Sequence, residues 1–171
     1  MRILYLLLIA AANLLTAKFD PLILAGGALI VPVGSLFAGA VFILRDLVQL
    51  KHGRGKTYAA ILLASALSAV LSLGLGDTAH VAVASVVAFF VSEAADTEIF
   101  TRVRRSMATR ILLSGIVGGC LDSVLFVILG LSPVGAGMIS WESVPSAVLG
   151  QMLVKLVVQF TAVLYLLPRK K

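Results

Sequence analysis

The chain contains little charge, few aromatic residues and a single cysteine. Of its 171 residues, 13% are charged and 7% aromatic, whereas 60% are hydrophobic, and the mean hydropathy is +1.10. Soluble domains contain about 25% charged residues, so this composition excludes an ordinary soluble globular protein. The single cysteine, Cys120, excludes both a disulfide framework and a cysteine-ligated metal site within one chain.

Motifs of common enzyme classes are also missing. The sequence has no Gly-x-Ser-x-Gly, no His-Glu-x-x-His and no complete Gly-x-x-x-x-Gly-Lys-Ser/Thr phosphate-binding loop. The residues around Asp96 and Asp122 are not the Tyr-Asp and Gly-x-Gly-Asp motifs of intramembrane aspartyl proteases. The sequence therefore predicts no enzyme, no cofactor and no metal site, and any dependence on ATP would have to come from a partner.

Apolar segments fill most of the chain. A membrane-spanning helix needs about 20 mostly apolar residues, and glycine, proline and charged residues separate the segments. We predict an all-α membrane protein in which residues 1–171 form one domain of six transmembrane helices. The first segment also resembles a cleavable signal peptide, which is an open alternative. The predicted helices cover roughly 3–19, 27–50, 57–75, 79–101, 109–131 and 146–167.

The basic residues indicate an orientation. With the N-terminus in the cytoplasm, the inner side receives all 14 lysines and arginines except Lys18 and Lys155, as the positive-inside rule requires. We therefore expect a multi-pass protein of the bacterial inner membrane with both termini cytoplasmic. The net charge of +6 then reflects topology and lipid headgroups rather than nucleic-acid binding.

Ionisable residues interrupt the apolar segments. An ionised side chain at the bilayer centre costs roughly 2.5–3.5 kcal/mol, so such residues are candidates for function. At about 1.5 Å of rise per residue, Glu93 and Asp122 fall near the midplane, and Asp96 lies one turn closer to the cytoplasm. The remaining candidates for substrate binding are Asn13, Phe89, Ser92, Gln151 and Lys155. Arg45 and Asp46 are expected near the inner surface, as a gate or a loop anchor.

Two interpretations of these charges stay open. Lys155 could neutralise Asp122 or Glu93 in a buried pair that only holds helices together, as in a non-transporting assembly protein. However, three acids against one central lysine leave an excess of negative charge. That excess favours a protonated carboxyl group, a bound cation or a ligand that carries hydrogen-bond donors.

A set of polar and aromatic residues lies between positions 91 and 126: Val91-Ser92-Glu93-x-x-Asp96-x-x-Ile99-Phe100, followed by Arg110, Ser114, Asp122-Ser123 and Phe126. This set resembles the vitamin uptake transporter family, which includes the bacterial queuosine precursor transporters. The likeness extends to Ala12-Asn13, Lys18, Asp46, Gly53 and Lys155. One departure is Leu50, where the family usually has an acid.

The resemblance implies a six-helix importer of 7-cyano-7-deazaguanine or its aminomethyl relative. The implied fold is similar to the substrate-binding subunits of energy-coupling factor transporters. A deazaguanine presents two adjacent N–H donors beside a carbonyl group. A carboxylate such as Glu93 or Asp122 would accept both donors, and Gln151, Asn13 or Lys155 would meet the carbonyl. An autonomous carrier is favoured over a binding subunit that needs a partner ATPase, and a homodimer stays open.

Overall fold

A computed structural model describes residues 2–76 and 79–166. Within these ranges the chain folds into six α-helices, with a short β-hairpin between the first two. The basic residues at 169–171, which contribute to the predicted orientation, lie outside the described residues. The elements are α1 (Arg2–Lys18), β1 (Leu22–Leu24), β2 (Leu29–Val31), α2 (Ser35–His52), α3 (Arg54–Gly74), α4 (Ala79–Arg102), α5 (Met107–Phe126) and α6 (Val144–Leu166).

Short irregular turns flank the last two helices. A π-helical turn (Val127–Leu131) prolongs α5, and a 3-10 turn (Trp141–Ser143) precedes α6. At the start of α5, the Ser106 hydroxyl accepts a hydrogen bond from the Thr109 backbone N–H at 3.3 Å. This side-chain cap satisfies one of the donors that a helix leaves free in its first turn.

The predicted start of the second helix at residue 27 is wrong. Gly26 and Gly27 adopt positive φ angles of 67° and 98°, which favour a turn rather than a helix. They connect β1 to β2, whose antiparallel register pairs Ile23 with Ile30. Pro32 then lacks the N–H that a helix interior needs, so α2 begins only at Ser35.

Part of the described structure has the length and composition of membrane spans. In residues 2–76 and 79–166, three stretches are long and apolar enough to cross a membrane: Arg54–Gly74, Met107–Leu131 and Trp141–Thr161. A shorter apolar helix covers Ile3–Thr16. The predominantly helical architecture is thus confirmed, whereas the count of six spans and the orientation stay predictions.

The helices pack with their polar residues inside and many apolar residues outside. α4 packs mainly along α5 and α3, while α2 lies against α6 and α1. A Cβ atom on Gly118 would lie 3.0 Å from the Asp96 Cβ, so the glycine lets α5 approach α4 beside a buried carboxylate. Large exposed side chains such as Leu62, Val157 and Phe160 cover the outer faces. An apolar exterior of this extent is typical of contact with lipid.

Candidate functional site

A cavity of about 530 Å³ opens between the helices in the half of the bundle that carries the hairpin. Its walls come from the C-terminal parts of α1 and α5 and the N-terminal halves of α2, α4 and α6. The volume lies within the roughly 300–1,000 Å³ that is usual for small-molecule sites, which are mostly apolar with a few placed polar groups. The polar residues that line this cavity are Asn13, Thr16, Ser35, Ser68, Ser85, Glu93, Asp122, Gln151 and Lys155.

Next to the cavity, one arginine joins three carboxylates. Arg45 Nε lies 3.1 Å from Glu93 Oε2, and Arg45 Nη1 lies 2.9 Å from Asp46 Oδ1. Arg45 Nη2 contacts Asp96. All four side chains are 0% exposed. We call Arg45, Asp46, Glu93 and Asp96 the arginine cluster.

The arginine cluster continues away from the cavity through an amide. Gln49 Oε1 accepts a hydrogen bond from Arg45 Nη1 at 3.1 Å, and Gln49 Nε2 donates to the Thr101 hydroxyl at 2.8 Å. Thr101 in turn donates to the Thr97 carbonyl at 2.7 Å. Polar contacts between α2 and α4 therefore extend over several turns on the side of the cluster opposite the cavity.

Arg45 lies in the interior of the 18-residue helix α2 and reaches Glu93 directly. The helix continues beyond Arg45 to His52. The predicted location of Arg45 near the inner surface stays a prediction. The proposed gating role of Arg45 and Asp46 stays a prediction.

A second buried ion pair forms part of the cavity wall. Lys155 Nζ donates to Asp122 Oδ2 at 2.7 Å and to the Ser123 hydroxyl at 2.8 Å. It also lies 3.4 Å from Gln151 Oε1. Lys155 is 3% exposed and Asp122 is 19% exposed. Of the two partners considered for this lysine, the structure selects Asp122, and Glu93 pairs with Arg45 instead.

Two buried polar atoms at the cavity have unused hydrogen-bonding capacity. Among the described residues, Glu93 Oε1 and Gln151 Nε2 are buried side-chain atoms without a hydrogen-bond partner. Both residues line the cavity, at 0% and 2% exposure. Leaving a buried donor or acceptor unpaired costs roughly 1–3 kcal/mol, so each such atom calls for an explanation. One acceptor and one donor thus lie at the cavity, and the buried Tyr5 hydroxyl, which also lacks a hydrogen-bond partner, faces the same carboxylate.

The cavity brings together most of the residues predicted to bind substrate. Two of the eight lie outside its lining: Asp96 pairs with Arg45, and the Ser92 hydroxyl donates to the Phe89 carbonyl at 2.9 Å. The role of every one of these residues in binding stays a prediction. The six that line the cavity are Asn13, Phe89, Glu93, Asp122, Gln151 and Lys155.

Sequence reasoning missed several residues of the site. Ser35, Ser68 and Ser85 line the cavity, but serine within an apolar segment is too common to mark a site. Ser68 also donates to Asn13 Oδ1 at 3.2 Å and so connects α3 to α1.

A third group of charges lies outside the site. Glu98 Oε1 contacts Arg54, and Glu98 Oε2 lies 3.2 Å from Arg102 Nη2. The Tyr58 hydroxyl donates to Glu98 Oε1 at 2.7 Å. Arg54 and Arg102 are 53% and 80% exposed. Such exposed pairs contribute about 0–1 kcal/mol to stability, and they provide matched controls for the buried ones.

Comparison with known proteins then assigns the family. Residues 71–167 match the Vut_1 family model, which describes vitamin uptake transporters. The chain belongs to this family. The matched segment covers more than half of the sequence and contains Glu93, Asp96, Asp122 and Lys155, whereas Arg45 lies before it. No curated protein and no solved structure matches the chain.

Membership of this family fixes the broad class of the protein. A transporter family implies a membrane environment and a small-molecule substrate, and the apolar helices agree with both. The resemblance that residues 91–126 predicted is therefore confirmed.

Proposed function

We propose that this protein imports a small planar heterocycle across the bacterial inner membrane, with a deazaguanine precursor of queuosine as the best candidate. The observation that carries the proposal is the pair of unpartnered atoms at the cavity, Glu93 Oε1 and Gln151 Nε2. They offer one acceptor and one donor within a mostly apolar space. The candidate ligands are 7-cyano-7-deazaguanine and 7-aminomethyl-7-deazaguanine.

The chemistry of the ligand edge fits these two atoms. A deazaguanine carries two adjacent N–H donors, which a carboxylate accepts side by side. Glu93 and Asp122 each have one oxygen that accepts a hydrogen bond from a cation, from Arg45 and Lys155 respectively. We assign the ligand to Glu93 because its other oxygen, Oε1, is buried without a hydrogen-bond partner, and this oxygen would accept one of the two N–H groups. The Gln151 amide can then donate to the ligand carbonyl beside the N–H edge. Phe89 and Phe126, which also line the cavity, supply apolar surface for the flat ring.

The position of the cavity suggests how the ligand reaches the site. The cavity lies in the hairpin half of the bundle, and the arginine cluster and the Gln49 contacts occupy the other side. With both termini cytoplasmic, the cavity belongs to the outer half of a six-span protein. Arg45 and Asp46 then act as part of an inner gate, since their contacts with α4 must break before a ligand can pass. We favour a carrier that works without a partner ATPase.

The alternative to a transporter is a membrane protein of another functional class, a non-transporting assembly protein. The buried pairs of Arg45 with Glu93 and of Lys155 with Asp122 would hold helices together in either case. Helix pairing alone does not explain a cavity with an unpaired acceptor and an unpaired donor on its walls. The transport proposal accounts for both features.

Thermal stabilisation of the purified protein tests the binding site. A ligand present at 100 times its dissociation constant stabilises the folded state by about 2.7 kcal/mol. We expect the two deazaguanines to raise the melting temperature, and purines and vitamins at equal concentration to raise it less. Glu93→Gln should abolish the effect. The matched control is Glu98→Gln, on the same helix but outside the cavity, which should keep it.

Two results would contradict this proposal. If no deazaguanine stabilises the wild-type protein, the substrate class is wrong. If Glu93→Gln responds as the wild type does, the site is misplaced. Transport itself is tested by measuring ligand uptake into cells that lack every energy-coupling ATPase module. A carrier that works alone should accumulate the ligand in these cells. A binding subunit that depends on such a module would accumulate no ligand.

A further inference from the structure

The two ion pairs at the cavity have the same orientation. In each pair an acidic side chain lines the cavity, Glu93 in one and Asp122 in the other. The partner of Glu93, Arg45, lies outside the lining. The partner of Asp122, Lys155, is 3% exposed, against 19% for Asp122 itself. Both pairs therefore present their negative end to the cavity.

The three N–H donors of Lys155 already have acceptors. An ammonium group carries three such donors and no acceptor. Lys155 Nζ directs them to Asp122 Oδ2 at 2.7 Å, to the Ser123 hydroxyl at 2.8 Å and to Gln151 Oε1 at 3.4 Å. Among the described residues that line the cavity, Lys155 is also the one cation. A ligand with a negative charge would therefore enter the cavity without a free cation to pair with it.

Asp122, by contrast, keeps one oxygen for a ligand. Lys155 bonds to Oδ2, and Oδ1 accepts no hydrogen bond from a described residue. The neighbouring arginine cluster adds no net positive charge as long as one of its three carboxyl groups is ionised. A cleft lined by charges of one sign concentrates ligands of the opposite sign. This cavity therefore favours a positively charged ligand over a negatively charged one.

The polar groups of the wall suit the order of the groups on a deazaguanine. Gln151 contacts Lys155, the partner of Asp122, through its oxygen, and its buried Nε2 has no partner. Asp122 also lies near enough to Glu93 to interact with it electrostatically, so one small ligand can reach both acids. On the ligand, the carbonyl group lies between the N–H edge and the 7-substituent. With the N–H edge at Glu93 and the carbonyl at Gln151, the 7-substituent points towards Asp122.

We propose that Asp122 binds a protonated amine on the 7-substituent, so that the carrier prefers 7-aminomethyl-7-deazaguanine to 7-cyano-7-deazaguanine. This inference rests on the function proposed above and adds the charge of the substrate. A primary amine such as that of lysine is protonated at neutral pH, whereas a nitrile is neutral and has no N–H donor. The amine, unlike the nitrile, can therefore donate to Asp122 Oδ1.

The positive charge of Lys155 does not cancel this preference. Lys155 bonds to Oδ2, the other oxygen of the same carboxylate. An ammonium group that donates to Oδ1 lies closer to the carboxylate than to Lys155 Nζ. Because the energy between two charges falls with their separation, the attraction to the carboxylate exceeds the repulsion from the lysine.

Three ligands that differ in charge at one position test this inference. The 7-aminomethyl, 7-cyano and 7-carboxy derivatives of 7-deazaguanine carry a positive charge, no charge and a negative charge on the same ring. Their dissociation constants for the purified wild-type protein are measured by isothermal titration at neutral pH. We expect the affinities to decrease in that order. The aminomethyl compound should bind roughly tenfold to a hundredfold tighter than the cyano compound, the value of one hydrogen bond to a charged group.

Asp122→Asn tests the assignment of the amine to Asp122. The variant keeps the shape of the side chain and removes its charge, so the preference for the aminomethyl compound should disappear. The carboxy compound should gain affinity relative to the other two, because Lys155 has lost its anion. A residue with a purely structural role would change all three affinities alike. The matched control is Glu98→Gln, outside the cavity, which should keep the wild-type order.

A second variant covers the case in which Asp122→Asn does not fold. The double variant Asp122→Asn with Lys155→Met removes both charges of the pair and leaves no buried ion without its partner. The preference for the aminomethyl compound over the cyano compound should disappear here as well. If the preference persists in either variant, the assignment of the amine to Asp122 is wrong.

The wild-type results separate this inference from the proposed function. If the cyano compound binds as tightly as the aminomethyl compound or more tightly, the charge preference is overturned and the deazaguanine proposal stands. Tightest binding of the carboxy compound would mean that Lys155, and not Asp122, faces the 7-substituent, which also overturns the inference. If none of the three compounds binds, the proposed function itself is contradicted.

Discussion

Arg45 Nε donates a hydrogen bond to Glu93 Oε2 at 3.1 Å across the interface between α2 and α4, and both side chains are fully buried. This contact makes one carboxylate serve both the stability of the bundle and the proposed ligand site. It also connects α2, which lies before the matched family segment, to α4, which lies within it. Variants at these two positions should therefore change both folding and binding.

Removal of the arginine charge should destabilise the protein severely. Arg45→Met leaves three buried carboxylates without their cation, and the loss of one partner of a buried ion pair costs about 3–5 kcal/mol. We expect a much lower melting temperature in detergent, or no folded protein. Additional Asp96→Asn, which removes one of the orphaned charges, should restore part of the stability. The measurement is thermal unfolding followed by circular dichroism.

The exposed arginine of the neighbouring pair is the control. Arg54→Met removes a partner of Glu98, but Arg54 is 53% exposed, and such pairs contribute about 0–1 kcal/mol. Its melting temperature should stay close to that of the wild type. An equal decrease in melting temperature in the Arg45 and Arg54 variants would mean that burial of the ion pair does not determine how much its loss destabilises the protein.

The pair of Lys155 with Asp122 should behave as a coupled unit. Lys155→Met leaves Asp122 in the cavity wall without its cation, and Asp122→Asn leaves Lys155 without its anion. We expect each single change to lower stability, and the double variant to be more stable than the sum of the two effects predicts. A coupling energy of roughly 0.5–3 kcal/mol is usual for residues in contact. Additive effects would contradict the pairing.

Some of the site follows from the sequence because it depends only on position within a helix. Glu93, Asp122, Gln151 and Lys155 lie in the interior of apolar segments whose boundaries are clear from the sequence. Their depth then places them at a similar level of the bundle, and in the structure all four line the same cavity. The resemblance to the vitamin uptake transporters rests on the same part of the chain.

Other features depend on contacts that periodicity does not reveal. The ion pair of Arg45 with Glu93 requires α2 to lie beside α4. The start of α2 at Ser35 is likewise hidden, because the apolar strands of the hairpin at residues 22–31 continue the hydrophobic run into the helix. Which acid pairs with Lys155 likewise depends on the approach of α5 to α6, which no spacing along the chain determines.

The predicted orientation can be tested by labelling with a cysteine reagent that does not cross membranes. Cys120→Ser removes the single native cysteine. Single cysteines are then introduced at Met138, which is 59% exposed beside the mouth of the cavity, or at the exposed Arg104 between α4 and α5. In intact cells without an outer membrane, the cysteine at 138 should react and that at 104 should react only after lysis. The reverse pattern would invert the predicted topology.

Variants of two glutamines on α6 test ligand binding and protein stability separately. Gln151 lines the cavity with a free Nε2, whereas Gln159, two turns further along, donates to the Ile111 carbonyl at 2.7 Å. Gln151→Leu should weaken binding of 7-cyano-7-deazaguanine roughly tenfold to a hundredfold, the value of one or two lost hydrogen bonds. Its melting temperature should change little, because Nε2 has no partner and the contact of Oε1 with Lys155 Nζ is long, at 3.4 Å.

Gln159→Leu should give the opposite result. It removes a buried hydrogen bond between α6 and α5, which contributes roughly 1 kcal/mol to stability, and Gln159 is not among the residues that line the cavity. We therefore expect a lower melting temperature with nearly unchanged affinity. Isothermal titration and thermal unfolding of both variants under the same conditions measure the two quantities. If Gln151→Leu loses stability and keeps its affinity, the free amide nitrogen is not part of the ligand site.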